Sequence, residues 1–361
     1  MKLPRLSSEI SLFGKVSLVD TLALTKHVSL MLKSGIPLPE SILILEKQTS
    51  HPAFRKLLLK IHQEIANGQP LHKALSQFPH VFNAFYVSLI KVAEESGSLE
   101  KNLDYLSLHL KKQHEFTGKV RGALLYPSIV LGVALIVGIG LSVFVLPKLI
   151  DLFASLDVEL PLSTKILLLF AKVMRDYGIF LLGGLVLLFV LIRFAITTRA
   201  IKPHWHSFLL SLPVLGVFMQ NIQLASMFRN IGTMLSVGVH ISTALTAQFE
   251  TTTNCVYKNY LSEIKSGVEK GKSIEEILTK TNKKFMPLIA VRMIGVGEKT
   301  GKLDETLTYL GDYFEDEVDD TSKNLSTIIE PVILIVVGLI VGFIAISIIG
   351  PIYQFTGSIK R

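Results

Sequence analysis

Three stretches without a single charged side chain dominate the hydropathy pattern of the chain: residues 122–147, 177–192 and 331–359. A hydrocarbon core about 30 Å thick takes about 20 helical residues to cross. The first and third stretches meet that length alone. The second meets it if Arg193 lifts its guanidinium to the interface and the helix runs on through Phe194-Ala195-Ile196. Transmembrane helices are therefore predicted over 122–147, 177–197 and 329–351.

Before the first stretch the apolar positions recur with helical spacing. Leu22, Leu24, Val28 and Leu32 run up to Gly35-Ile36-Pro37, which stops the helix. Pro39 and Glu40 open a second helix carrying Ile42, Leu43 and Leu45. His51-Pro52 opens a third, which ends at Asn67-Gly68. A short helix from Leu71, one from Phe82 to Glu94 and one from Leu99 onward complete a six-helix bundle joined by Gly and Pro turns. Nowhere does the two-residue alternation of a strand persist.

The same pattern returns later in the chain. Met31-Leu32-Lys33-Ser34-Gly35-Ile36 is answered 203 residues on by Met234-Leu235-Ser236-Val237-Gly238-Val239. At that offset Gly68 faces Gly271 and Phe82 faces Phe285. After a one-residue insertion the offset is 204, and Glu94 and Gly97 face Glu298 and Gly301. Pro127 then faces Pro331, and Pro147 faces Pro351. One register held through two glycine turns, a Glu-containing turn and two prolines marks a duplicated unit. That unit is a soluble bundle plus the transmembrane helix after it, and the second span returns the chain to the same side.

The predicted architecture is thus an all-α integral membrane protein with two homologous six-helix-bundle cytoplasmic domains and three transmembrane helices. Residues 1–14 form a leader, 15–121 the first bundle and 198–328 the second. Residues 148–176 and 352–361 fall on the periplasmic side. Within 148–176, Ser163-Thr164 is expected to cap a short helix lying against the membrane surface.

Composition agrees with this division. Of 361 residues 49% are hydrophobic and only 18% are charged, against roughly 25% charged in a soluble domain. A wholly soluble protein, a disordered chain and a disulfide-stapled domain are excluded. One cysteine, Cys255, allows no intrachain disulfide. Residues 1–14 lack the uninterrupted apolar run of a cleavable signal, so the first span is expected to direct insertion. The net charge is +8, most of it before residue 122. Lys111, Lys112, Lys119 and Arg121 precede the first span, whereas Lys148 and Lys165 follow it. Positive flanks stay inside, so the N-terminus and both bundles are placed in the cytoplasm. Basic charge of this kind suits anionic lipid, and no nucleic-acid-reading motif accompanies it.

Candidate chemistry is sparse. Gly271-Lys272-Ser273 resembles the end of a P-loop, but Gly267 is one residue too close and no strand precedes it. A helix end at Gly271 followed by a Ser273-x-x-Glu276 capping box explains more. Gly295, Gly297 and Gly301 read as a tight interhelical turn. Glu100 and Asp104 share a helix face and, with an amide such as Gln48, could hold calcium or another divalent cation. A solvated helix start is the simpler account. Glu315-Asp316-Glu317 and Asp319-Asp320 form either a solvated face or a dock for a basic partner. No charge lies within 122–147, 177–192 or 331–359, so neither an ion pathway nor a proton relay has residues to run on there.

Lys119-Val120-Arg121-Gly122-Ala123-Leu124-Leu125-Tyr126-Pro127, with Pro147 twenty residues beyond, resembles the signature of the type II secretion system F protein family. That family includes the platform proteins of type IV pilus assembly. The doubled glycine turns Gly35/Gly238 and Gly97/Gly301 extend the likeness over residues 17–355. The resemblance implies a non-enzymatic, oligomeric platform in the bacterial inner membrane, needing no cofactor. Its implied partners are a hexameric assembly ATPase, the transmembrane helices of pilins or pseudopilins and other inner-membrane assembly proteins. Some family members bind a divalent cation in the first domain, which bears on Glu100 and Asp104. A small multi-span transporter or channel subunit is the alternative; parallel repeats and uncharged spans disfavour it.

Overall fold

A computed structural model describes residues 16–140, 162–198, 200–280 and 284–359. The described residues are helical throughout, with no strand among them. The first six helices are α1 (Leu18–Lys33), α2 (Leu38–Gln48), α3 (Pro52–Ala66), α4 (Leu71–Ser76), α5 (Ala84–Glu95) and α6 (Leu99–Gly140). Two helices follow, α7 (Leu162–Thr197) and α8 (Lys202–Ser211). The last six are α9 (Leu215–Ser236), α10 (Ile241–Thr251), α11 (Cys255–Val268), α12 (Ile274–Lys280), α13 (Leu288–Thr300) and α14 (Leu303–Ile359).

Local chemistry sets these boundaries. Ser17 and Asp20 form a reciprocal capping box at the start of α1, each side chain bonding the other's backbone N–H at 3.2 and 2.8 Å. At the other end Gly35 sits at φ +81°. The Ile36 N–H donates to the Met31 carbonyl and the Gly35 N–H to that of Leu32, both at 2.9 Å. This is a Schellman closure, which needs a left-handed residue that glycine alone adopts without strain. Gly238 repeats it at φ +89°, with Val239 donating to Met234. The glycines at 68, 97, 271 and 301 also lie in the left-handed region, so the three turns of the first copy recur in the second.

Two compact units emerge. The first joins residues up to Lys119 with Gly216–Val318, so helices of both copies share one body. Its cores are closed: Leu58, Ile61, Ala74 and Ile90 in one copy, and Leu224, Ala244, Leu261 and Leu310 in the other, have no exposed surface. The cavities left inside, of about 10 and 20 Å³, hold at most a water molecule. Where α9 crosses α14, Gly232 lies against Thr308 and Gly311 against Arg229. An added Cβ on either glycine would come within 2.8 or 2.9 Å of backbone nitrogen.

The second unit comprises Val120–Leu215 and the chain from Asp319 onward. Here the burial pattern inverts. Ile136, Leu169, Phe180, Phe189, Phe194, Leu334 and Ile346 are exposed. The Thr164 hydroxyl donates to the Ser347 carbonyl at 2.7 Å, joining α7 to α14. Among the described residues one helix, α6, passes the length and hydropathy test for crossing a membrane outright; shorter apolar helical segments lie at Leu187–Thr197 and Leu334–Ser347. α8 and α9 pass it only jointly, and α9 is packed inside the first unit.

Three sequence expectations change. Residues 163–176 form no separate helix at a membrane surface: α7 runs unbroken from Leu162, since no Gly or Pro interrupts the register before Tyr177. Gly295 and Gly297 are not in a turn but inside α13, where their missing side chains admit the Glu275 carboxyl group and the Thr306 hydroxyl. Only half of the Ser273–Glu276 capping box forms. Ser273 Oγ accepts from the Glu276 N–H at 3.1 Å, but the Glu276 carboxylate turns to Lys280 at 2.6 Å.

The glycine environments predict a graded response to Ala. Gly35→Ala meets open space and should cost about 1–2 kcal/mol through backbone strain alone. Gly311→Ala has an allowed backbone but collides with α9 and should cost about 2–3 kcal/mol. Chemical unfolding of the detergent-solubilised chain checks the order.

Candidate functional site

The two copies meet around one buried cation. Arg229 is the only charged residue on α9 and is 6% exposed. Its neighbours fix it there, since Gly311 lets α14 approach the Arg229 backbone and Phe116 of α6 lies 5.9 Å from the guanidinium carbon. A cation removed from water at this cost must be paired. Arg229 Nη2 pairs with Glu315 and, at 3.0 Å, with Asp312, one turn apart on α14. Both carboxylates also reach the other copy: Lys112 of α6 lies 3.5 Å from Asp312, and Lys119 lies 3.1 Å from Glu315. Four ion pairs thus tie α6, α9 and α14 together. The guanidinium Nε is left without a hydrogen-bond partner.

His109 fills the apolar side of the same junction. Its ring stacks 4.4 Å from that of Phe85, and Nδ1 lies 3.2 Å from Thr233 Oγ1 on α9. Burial, with Arg229 and Lys112 adding like charge, lowers its pKa to about 3 against a partial offset from Asn230. The imidazole is therefore neutral at physiological pH. A protonated ring would add a fourth cation, beside Arg229, Lys112 and Lys119, to a site that holds two carboxylates.

A second arrangement occurs twice. The carboxylate of Glu94, on α5, accepts from the backbone N–H groups of Leu71 and His72 at 2.5 and 2.9 Å and lies 2.5 Å from His72 Nδ1. In the other copy Glu298, on α13, accepts from Ile274 and Glu275 at 2.7 and 3.0 Å. Pro70 offers no side-chain cap to α4, so the acid of the following helix satisfies its first donors instead. Each Glu stands on the last turn before its Schellman glycine. The turn and the cap together lock the short fourth helix to the fifth.

The remaining sequence candidates scatter. Tyr126 is 45% exposed on α6, and Pro127 lies inside that helix, where Ser128 Oγ donates to the Leu124 carbonyl at 2.7 Å. Pro331 and Pro351 lie inside α14; Pro147 is outside the described residues. Lys272 borders an open cleft of about 370 Å³ whose charge is mixed, with Lys270 and Lys280 facing Glu263 and Glu276. Glu100 and Asp104 are both exposed at the start of α6, and Gln48 is exposed on α2. Calcium takes six to eight oxygens, and this pair alone does not make such a cage. Among the described residues no group of three or more His, Cys, Asp or Glu side chains is placed to hold a metal ion. Of the acidic run, Glu315 faces Arg229 and Lys119 of the chain itself, whereas Asp316 and Asp320 are exposed. His109 and Arg229 carried no motif in the sequence. The one signal for Arg229 was its lone charge in the otherwise uncharged α9.

This frame of paired helices has a family. The family model for type II secretion system (T2SS), protein F matches twice, over residues 24–147 and 227–351, and the chain belongs to that family. The two matches begin 203 residues apart and end 204 apart, the same offsets as the internal repeat. The type IV pilus assembly protein PilC of Myxococcus xanthus is 32% identical, over 96% of this chain and 83% of its own length. PilC of Pseudomonas aeruginosa is 31% identical, over 96% and 93%. The type II secretion system protein F of Vibrio cholerae is 26% identical, over 96% and 85%.

Two outcomes are expected. His109 stays neutral when folded but titrates normally when unfolded, so the unfolded state binds more protons between about pH 6.5 and 3. Stability should fall as pH drops through that window, by at most about 1.4 kcal/mol per unit, or about 2 kcal/mol at pH 5. His109→Gln should lose that part of the slope in unfolding measured at pH 7, 6 and 5. Glu298→Ala removes two charge-assisted bonds and should cost about 2–3 kcal/mol, read as faster amide exchange in α12.

Proposed function

We propose that the chain is the inner-membrane platform of a type II secretion or type IV pilus assembly machine. The observation that carries the reading is the double family match combined with relatives that align over nearly the whole chain. In this reading 122–147, 177–197 and 329–351 cross the membrane, and both bundles, 15–121 and 198–328, face the cytoplasm with the N-terminus. The exposed apolar side chains of α6, α7 and α14 support it, because lipid is the solvent that tolerates them.

The role is mechanical. A hexameric assembly ATPase acts on the bundles, and pilin or pseudopilin helices leave the bilayer beside the spans. The platform hydrolyses nothing itself. α6 and α14 are each one continuous helix from the ion-pair junction into an apolar stretch. Within the first unit, Lys112–Asp312 and Lys119–Glu315 are the points at which α6 can shift against α14. Salt bridges suit such a joint, since they re-pair as helices slide where a packed apolar contact resists.

Tagged full-length chain purified from its native membrane should bring down an assembly ATPase and a pilin-like subunit. Repeated absence of both overturns the platform role. Protease added to intact spheroplasts should spare both bundles and cut them only after lysis; digestion from outside contradicts the topology.

A further inference from the structure

The fifth helices of the two copies have the same sequence register but different surroundings. Helix starts Ala84 and Leu288 and turn glycines Gly97 and Gly301 all differ by 204, so the positions of α5 and α13 correspond one to one. Their core faces match: Ile90 and Ile294 are buried, as are Tyr86 and Ala290. Their outer faces do not. Phe85 is 3% exposed and Ile289 is 51%; Val92 is half-buried and Val296 is 61% exposed; Ala84 is half-buried and Leu288 is 68% exposed. Two neighbours lie against the first copy's face: the His109 ring of α6 is 4.4 Å from that of Phe85, and a helix of the second copy packs beside α5. α5 of the first copy packs against α10, the second helix of the second copy. The reciprocal pair is α13 and α2. On α2, Ile44 stays half-buried where its counterpart Ala247 is buried, while Leu43 and its counterpart Thr246 are both half-buried. The contact inside the chain is therefore heterologous: one copy offers its fifth helix, the other its second, and the opposite faces are left over.

We propose that α13 of one chain docks onto α2 of a second chain, repeating the α5–α10 contact between molecules. The occupant is a second copy because the chain already builds this contact once from the same duplicated elements. Leu288, Ile289 and Val296 form the apolar stripe on α13. Glu40 and Arg292, exposed on the two partner helices, supply opposite charge. A heterologous contact of this kind passes from chain to chain and closes into a ring or continues as a stack, in contrast to a two-fold dimer. The contact concerns the bundles alone: failure to capture an ATPase or a pilin would sink the platform role and leave it standing.

The test is cross-linking of the full-length chain in membranes, in a Cys255→Ser background, with a short bismaleimide. Val296→Cys combined with Leu43→Cys in one chain should give a ladder of dimers and higher species. A mixture of the two single variants should give dimers only, and neither single variant alone should cross-link. Cross-linking of Val296→Cys with itself, or none from the double variant, overturns the proposal. Separately, Ile289→Asp changes an exposed side chain and should leave the melting curve in place while raising the concentration at which oligomers dissociate at least tenfold. An unchanged oligomer overturns the proposal, as does a wild-type chain that sediments as a monomer; if Ile289→Asp fails to fold, the cross-linking result decides alone.

Discussion

A guanidinium held out of water fixes what can surround it. Arg229 is the only charge on α9, and its burial imposes two acids on α14, a glycine at the crossing and an aromatic face on α6. Those two acids carry more negative charge than one arginine cancels, and Lys112 and Lys119 pair with them from the other copy, leaving the cluster one positive charge in excess. His109 stays neutral, because burial and the positive charge of Arg229 and Lys112 oppose a further cation. The junction between the copies thus follows from solvating one cation without water.

Duplication repeated the scaffold and let the pairings drift. Glu46 holds Arg55 by a 2.6 Å ion pair; at the equivalent positions Lys258 lies 4.6 Å from the ring of Phe249. The helix pair survives because each version keeps one attraction between the second and third helices of its copy. His72, which leans on Glu94, is replaced by Glu275, which lies by Arg292 and Lys299 instead. What did not drift is backbone geometry. The six left-handed glycines and the two capping glutamates stand at the same places in both copies.

Those constant features were the legible ones. A left-handed turn admits little but glycine, so Gly35 and its five counterparts could be read as helix ends before any coordinates. The periodic apolar positions of α1 to α5 gave their helices for the same kind of reason: burial on one face leaves a local mark. The junction was not legible. Lys112 and Asp312 are 200 residues apart, and nothing local distinguishes them from solvated charges. The role of Glu94 and Glu298 was hidden because each caps a helix more than twenty residues upstream. The register of the repeat showed that they correspond without showing what they bind. Gly295 and Gly297 misled because a glycine kept for close approach inside a helix looks like one kept for a turn.

The junction is tested most directly by a double-mutant cycle on Arg229 and Glu315, with unfolding of the full chain measured in detergent. Arg229→Met and Glu315→Gln should each cost several kcal/mol, about 3 for the arginine, because each strands an unpaired buried group. The double variant should recover about 1–3 kcal/mol of the combined loss. Strictly additive losses would mean that the two side chains do not depend on each other, and the junction would then have to be held by something else.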